Sequence, residues 1–469
     1  MKFRQPTALA QAAALALGAA FCGGAAAQTN ADLLKEIQSL KARVAELEGK
    51  QKAAETKPAT AQWGMTPEQS AEFNRIAVKT EALEDAIEAQ GFKGLKVSGQ
   101  MDPTYLWNRD QDRAGFQFLN KVSADGYNYD NSYFGMAMID FFKETQSGTR
   151  WRLTLAPNRG VGSVFDPDSV VHEASVSVPL GDLQTRFIAG QIPDWSGYEY
   201  LQPTLNKLIT HNLLFDFTLP TAYTGAGMEI TSGKWIVKGV LANLNASKNP
   251  AGEKAPVIAY RVDYARGEFQ GFGFAGVHGK AANFRAFDAT TASGLGVNPV
   301  TDADYSGANT ALNLFEVDAY FIRGDWTVQG QLSYGSQKDA AITADPVTGD
   351  LRASRWYGLS ALAAYKFTPR FEGIARVDYV NNRKNGGGLL GYSFADGRNG
   401  IGPDPAGDPE IGANRMAIAL GLSYLYNLNT TFKVEYRIDR ATLPVFENIK
   451  DSTFRKDNQI LGTSVVLSF

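Results

Sequence analysis

Leu461-Gly462-Thr463-Ser464-Val465-Val466-Leu467-Ser468-Phe469, the closing stretch of the 469-residue sequence, alternates with a period of two. Leu461, Thr463, Val465, Leu467 and Phe469 fall on one side of a strand, and Gly462, Ser464 and Ser468 fall on the other, with Val466 the exception. An apolar side that ends in an aromatic suits a strand whose outer face meets lipid and whose last ring sits at a membrane–water interface. A soluble sandwich could use the same pattern as an edge strand, so the rest of the chain has to decide.

The opposite end points to export. Lys2 and Arg4 precede an apolar run, Ala8 to Phe21, broken only by Gln11, and Ala25-Ala26-Ala27 supplies small residues for cleavage. This is the pattern of a signal peptide covering 1–27. Its removal takes away Cys22, the only cysteine, and with it any disulfide or thiolate metal site. It also leaves 44 basic against 49 acidic side chains, a balance that argues against nucleic acid as a partner. No later segment holds the roughly 18–20 consecutive apolar residues of a membrane helix, which leaves a closed barrel as the way to cross a bilayer.

From Gly94 onward short and long connections alternate. Turn residues occupy 145–148, 181–182, 232–234, 267–268, 323–325, 368–370 and 427–429. Between them lie long polar segments at 108–130, 157–169, 193–212, 245–255, 283–309, 337–354, 383–412 and 442–456. Seven tight turns and eight long loops separate sixteen strands, the outer-membrane pattern of short periplasmic turns and longer outer loops. Aromatics crowd beside the short turns, among them Trp151, Trp235, Phe272, Trp326, Phe367, Phe371, Phe432 and Phe469. That is one interfacial girdle; Tyr105, Trp107 and Tyr133 suit the other. The fold class expected is therefore an all-β transmembrane barrel of about 16 antiparallel strands over 92–469, preceded by a helical segment.

Alternation then separates lipid-facing from lumen-facing positions. Phe432, Val434, Tyr436 and Ile438 point out, while Lys433, Glu435, Arg437 and Asp439 point in. The same reasoning turns Arg150, Arg152, Arg186, Arg261, Asp263, Glu316, Asp318, Glu372, Arg376, Asp378 and Arg415 inward. A slip of one residue would put these charges in lipid, at roughly 2–4 kcal/mol per Arg or Lys at mid-depth. The strands at 131–142 and 170–179 alternate too poorly to orient. A barrel of this size leaves an aqueous channel, so these residues are pore-lining candidates for a porin that passes small hydrophilic or charged solutes. Their near balance of sign argues against steep ion preference. In the third long loop, Asp194, Tyr198, Glu199, Tyr200, Lys207 and His211 are candidates for a constriction that narrows the channel. No nucleotide or zinc motif appears, no cofactor is implied, and His172, His211 and His278 are the only histidines. His172 and Glu173 are strand neighbours expected on opposite faces. The sequence thus reads as a channel rather than an enzyme.

Residues 28–91 read as a periplasmic oligomerisation segment. Leu33, Ile37, Leu40, Val44 and Leu47 form a heptad seam, with Glu36 and Lys41 and then Arg43 and Glu48 oppositely charged at its flanks. A second stripe, Phe73, Ile76, Thr80, Leu83 and Ile87, follows the capping box Thr66-Pro67-Glu68-Gln69. A structural protein tethering membrane to cell envelope through this segment is the alternative function.

Gly91 to Gly99, Val171 to Tyr200 and Lys207 to Leu213 resemble an uncharacterised family of predicted proteobacterial outer-membrane proteins over most of 92–469. The order of signal, short coiled coil and barrel is similar to that of coiled-coil-tethered trimeric porins and, more distantly, of phosphate-selective porins O and P. The resemblance implies a homotrimer, whereas β-branched residues at a with Leu at d would by themselves favour a dimer. Outer-membrane lipid and lipopolysaccharide are the partners expected of the barrel's outer face. The lysine-rich ladder of a phosphate channel is not visible.

Overall fold

The computed structural model describes residues 73, 75–80, 93–119, 135–156, 170–245, 256–267, 269–283 and 309–469. Sixteen antiparallel strands close on themselves. The first half contains β1 (Leu95–Met101 and Thr104–Asn108), β2 (Arg113–Gln117 and Ala137–Glu144), β3 (Arg150–Leu155), β4 (Val171–Leu180), β5 (Asp182–Pro193), β6 (Ala222–Ser232), β7 (Trp235–Leu244) and β8 (Val257–Gly267). The second contains β9 (Gln270–Ala282), β10 (Asn309–Arg323), β11 (Trp326–Gln337), β12 (Ser354–Thr368), β13 (Phe371–Asn381), β14 (Arg415–Asn427), β15 (Thr430–Ala441) and β16 (Asp457–Ser468). Each pairs with its neighbour in sequence, and β16 pairs with both β15 and β1. All seven short turns lie where the turn residues place them. At Gly324 the left-handed backbone (φ 58°) is one that glycine adopts without Cβ strain.

The seam is made by the residues that end the sequence. Thr104 stands opposite Ser464 and Gln100 opposite Ser468. Phe469 then exchanges backbone hydrogen bonds with Gly99 at 3.0 and 3.2 Å, and its ring lies where a Cβ on Gly99 would have to go. Closure removes the open edge that a sixteen-strand sheet would otherwise expose. Outside, Trp235, Tyr264 and Phe272 form one run of touching rings, and Trp326, Tyr365, Phe367 and Phe371 form another. These belts lie beside the short turns, as the girdle reading expects.

The first connection differs from the expectation. Instead of a long loop over 108–130, β1 turns within Arg109–Asp112, and Arg113–Gln117 pairs back on Thr104–Asn108. The extra chain is inserted inside β2, between Gln117 and Ala137. Pro103 has no N–H to give to a ladder, and here β1 breaks. Asp102 turns the break into a junction, its carboxylate accepting from Gly135 N (3.2 Å) and Met136 N (2.6 Å). A second irregularity lies in β4, where the register shifts between Thr154↔Glu173 and Leu155↔Val171. His172 is the extra residue of this bulge. It is buried, and Glu173 beside it is largely shielded, so the two do not divide cleanly between faces.

Of the helical module, 75–80 is helical, and Phe73 and Ile76 of the second stripe are exposed. The seam from Leu33 to Leu47, Leu83, Ile87, the signal segment and Tyr133 lie outside the described residues.

Candidate functional site within the barrel

The chain between β5 and β6, residues 194–221, folds into the barrel. Its hydrogen bonds and packing reach inward-facing residues on the wall from β8 round to β2. Trp195 O accepts from Arg261 Nη1 on β8 at 2.7 Å. The Tyr198 hydroxyl meets that of Ser360 on β12 at 2.6 Å. Lys207 reaches Glu372 on β13 at 2.8 Å, and Lys433 on β15 donates to Pro203 O and Asn206 O at 2.7 and 2.6 Å. Thr204 Oγ1 meets Gln100 on β1 at 2.6 Å, and Leu201 packs with Met136 and Met138 at the start of β2.

The tightest anchoring surrounds residues 199–212. Arg376 gives Nη1 to Glu199 (2.8 Å) and to Thr210 O (2.7 Å), Nη2 to His211 O (2.7 Å) and Nε to Asp378 (3.1 Å). Arg437 gives Nη1 to the same His211 carbonyl (2.6 Å) and Nε to Asp439 (3.0 Å), and Asp439 also receives Arg415 (3.1 Å). Glu435 accepts the backbone N–H groups of Ile209 (2.7 Å) and Thr210 (2.8 Å). A loop is thus held through its main chain by charged wall residues, the charge-assisted kind of hydrogen bond that fixes geometry most firmly. The chain continues into helix α1 (Leu213–Phe217). Asn212 caps it by accepting from Leu214 N (2.9 Å) and Phe215 N (2.8 Å). Glycines on the wall leave the room: a Cβ at Gly421 would collide with Leu208, and one at Gly358 with Leu214.

Burial shapes the charges of this loop. Glu199 accepts from Arg376 and from Asn212 N at 2.6 Å, yet loss of water outweighs both and lifts its carboxyl to about 7. Asp194, which accepts from Tyr223 and Ser196, is raised to about 6 for the same reason. His211 stacks on Phe215 at 4.3 Å, with Nε2 2.9 Å from Tyr200 O, and burial lowers it to about 4. Burial disfavours its charged form, and the ring is fixed by the stack on Phe215 together with its contacts to Tyr200 O and Asn206.

Above this girdle of charges, the half of the lumen nearest the long loops is apolar. Val240, Ala242, Leu244, Val257, Ala259, Val277, Leu312 and Leu314 face inward and form one buried core with Leu213, Leu214 and Phe217 of α1. Leu389, Leu390 and Ile401 from the loop between β13 and β14 complete it. Phe217 meets Tyr392 edge to face at 5.2 Å, and Arg415 lies over both Phe217 and Phe446. Neighbouring loops join the cover: Arg352 holds Glu410 (2.6 Å), Glu447 N reaches Gly397 O (2.8 Å), and Ile449 N reaches Asp110 O (2.9 Å).

The inward charges consequently divide into two sets. Arg261, Asp263, Glu316, Asp318, Glu372, Arg376, Asp378, Arg415, Lys433, Glu435, Arg437 and Asp439 all stand behind the loop or under the apolar core. The side chains of Arg376 and Arg437 have no exposed surface. On β2, β3, β6 and β7 the inward charges remain accessible, with Arg150 38% and Arg152 44% exposed. Arg152 Nε lies 2.8 Å from Asp140 and 3.6 Å from Glu173, Arg150 pairs with Glu144, and Lys238 with Glu229. Arg186 on β5 faces the same side and is itself buried. Sequence reasoning missed Asp140, Glu144, Glu173, Glu229 and Lys238. Glu229 and Lys238 had a signal, since a hairpin closed by Ser232 and Trp235 makes them partners across the turn.

A closed antiparallel barrel with an internal loop is a fold of the bacterial outer-membrane kind. The chain belongs to the family described as "Protein of unknown function (DUF3138)", whose model matches residues 4–469. Among solved structures it is similar to a loop L8 deletion mutant of OmpT, an outer membrane protein of Vibrio cholerae. That likeness has a TM-score of 0.50 and 12% identity, over 80% of this chain and 99% of that one. An anion-selective porin from Comamonas acidovorans (0.47, 10%, 80% and 99%) and Salmonella typhi OmpF in complex with daunomycin (0.47, 13%, 80% and 97%) also align. At these identities the likeness concerns the fold. No curated protein matches the chain.

Proposed function

We propose that the protein is an outer-membrane porin whose water-filled passage enters along the short-turn half of β2 to β7 and admits small hydrophilic or charged solutes. The observation that carries this reading is the division of the inward charges. Arg150, Arg152, Glu144, Glu229 and Lys238 keep solvent-accessible side chains inside a barrel whose opposite wall is dry. A charged group without a full set of partners keeps its water unless burial is compensated, so this side is where an aqueous path is cheapest. The accessible charges are of both signs, which favours weak ion preference. In this reading Arg150, Arg152 and Arg186 line the passage, and the other inward charges fix the constriction loop. Residues 1–27 direct export, and 28–91 hang in the periplasm and hold a homotrimer through the heptad seam. Lipid and lipopolysaccharide surround the outward apolar face.

A second reading, a structural tether, draws on the apolar packing that fills the lumen beneath the long loops. Planar bilayers separate the two. The purified full chain is expected to insert with stepwise conductance in groups of three equal levels. Insertion without any conductance would favour the tether, and single isolated levels would remove the trimer while keeping the channel.

A further inference from the structure

Among the described residues, four arginines are almost wholly buried: Arg186, Arg376, Arg415 and Arg437. Arg376, Arg415 and Arg437 each lie within 3.1 Å of a carboxylate. Arg186, 2% exposed, makes no ion pair among the described residues. Its Nε donates to Ser177 Oγ at 2.6 Å, and its Nη2 to Gly148 O (2.7 Å) and Ser177 O (3.0 Å), while Nη1 meets no acceptor. Glu229 and Glu144 act on Arg186 only from beyond ion-pair distance, and Arg150 opposes them. The Arg186 charge is therefore incompletely compensated, whereas the other three each have a carboxylate in contact.

The neighbourhood fits an anion from outside the chain. Arg150 stands in register with Ser177, the residue Arg186 holds, and its charge acts on Arg186 at the short-turn end of the lumen. Arg150 gives only Nε, to Glu144 at 3.2 Å, and its side chain is 38% exposed. Arg152, two residues further along β3, continues the same inward row toward the middle of the barrel. Glu229 faces Arg186 across the β5–β6 ladder, and its nearest cation is Lys238 at 3.3 Å.

We infer that Arg150 and Arg186 form an anion-binding station at the short-turn mouth of the passage, taking a carboxylate or phosphate group. The channel reading supplies the source of the anion, a passing solute, while the site itself stands on its own geometry. Planar arginine donors take such oxyanions in forked pairs, and Ser177 and the 145–148 turn hold Arg186 ready for one.

The test uses full-length protein, with inorganic phosphate and succinate as probes against chloride. Two readouts are taken: the apparent melting temperature in detergent, and the single-channel current in planar bilayers. Phosphate or succinate is expected to raise the melting temperature and to lower the chloride current. Arg150→Gln, which leaves the Arg186 contacts to the turn in place, is expected to weaken both effects about tenfold; Arg186→Gln is expected to abolish them. A response to phosphate alone, or to succinate alone, identifies the class. Neither anion changing melting or current would overturn the station and leave Arg186 as a cap on the turn. A melting response in protein that carries no current would keep the station and overturn the channel.

Discussion

The two sides of the lumen carry the same kinds of side chain and use them differently. On β13 and β15 arginine, lysine, aspartate and glutamate face inward, and Glu372, Arg376, Lys433, Glu435 and Arg437 bind the main chain or side chains of residues 199–212. In the short-turn half of β2, β3, β6 and β7 the same residue types pair with each other across the sheet and keep accessible side chains. The difference lies in what faces them. Where glycines at 358, 421 and 462 lower the wall, the loop between β5 and β6 lies down on it. A charge facing the lumen is therefore not by that fact a pore charge; it becomes one only where no segment covers it.

The largest effect is expected from breaking the covered side. Arg376→Ala leaves Glu199 and Asp378 buried without this cation and the Thr210 carbonyl without its arginine donor, while the His211 carbonyl keeps Arg437. Removing one member of a buried pair costs about 3–5 kcal/mol. The apparent melting temperature should fall and single-channel conductance should rise as the loop leaves the wall. Unchanged conductance with intact folding would mean that the loop is held by its apolar contacts alone.

A smaller effect concerns pH. Glu199, with its pKa raised to about 7, and Asp194, raised to about 6, contribute stability that is complete below their ordinary carboxylate values. That contribution is lost as pH rises through 6 to 7. His211, lowered to about 4, works the other way: its contribution is present above the usual imidazole value and is lost as pH falls toward 4. Glu199→Gln removes one of the two acids. Between pH 5 and pH 8 the variant should therefore gain stability relative to wild type as pH rises, seen in melting temperatures at the two values. Parallel profiles would show that Glu199 keeps its water.

The strand count was legible because turn residues and period-two alternation are local properties. Phe469 and the sixteen-strand closure followed from them, and so did the inward direction of Arg376 or Glu435. The break in β1 was harder: Pro103 and the charged run from Arg109 to Arg113 look like the start of a loop, and Arg113–Gln117 is too short to stand out. What covers each face was not legible at all. Glu199 meets Arg376 across 177 residues of sequence, and Ile209 meets Glu435 across 226. Alternation tells which way a side chain points and says nothing of such partners. One signal was present and unread: Val240, Ala242 and Leu244 are apolar at inward positions of a strand that is apolar outward as well, the mark of a strand buried on both faces.

The division of the lumen is tested most directly by cysteine accessibility in conducting channels, since Cys22 is the only cysteine of the sequence. Ser175→Cys and Arg152→Cys report on the open side; Ser333→Cys and Ser464→Cys, at buried inward positions of β11 and β16, report on the covered side. A charged thiosulfonate added to the bath should reduce the current rapidly in the first pair and leave the second pair unmodified. Equal modification of Ser333→Cys and Ser175→Cys would contradict the account, because water would then reach both walls alike.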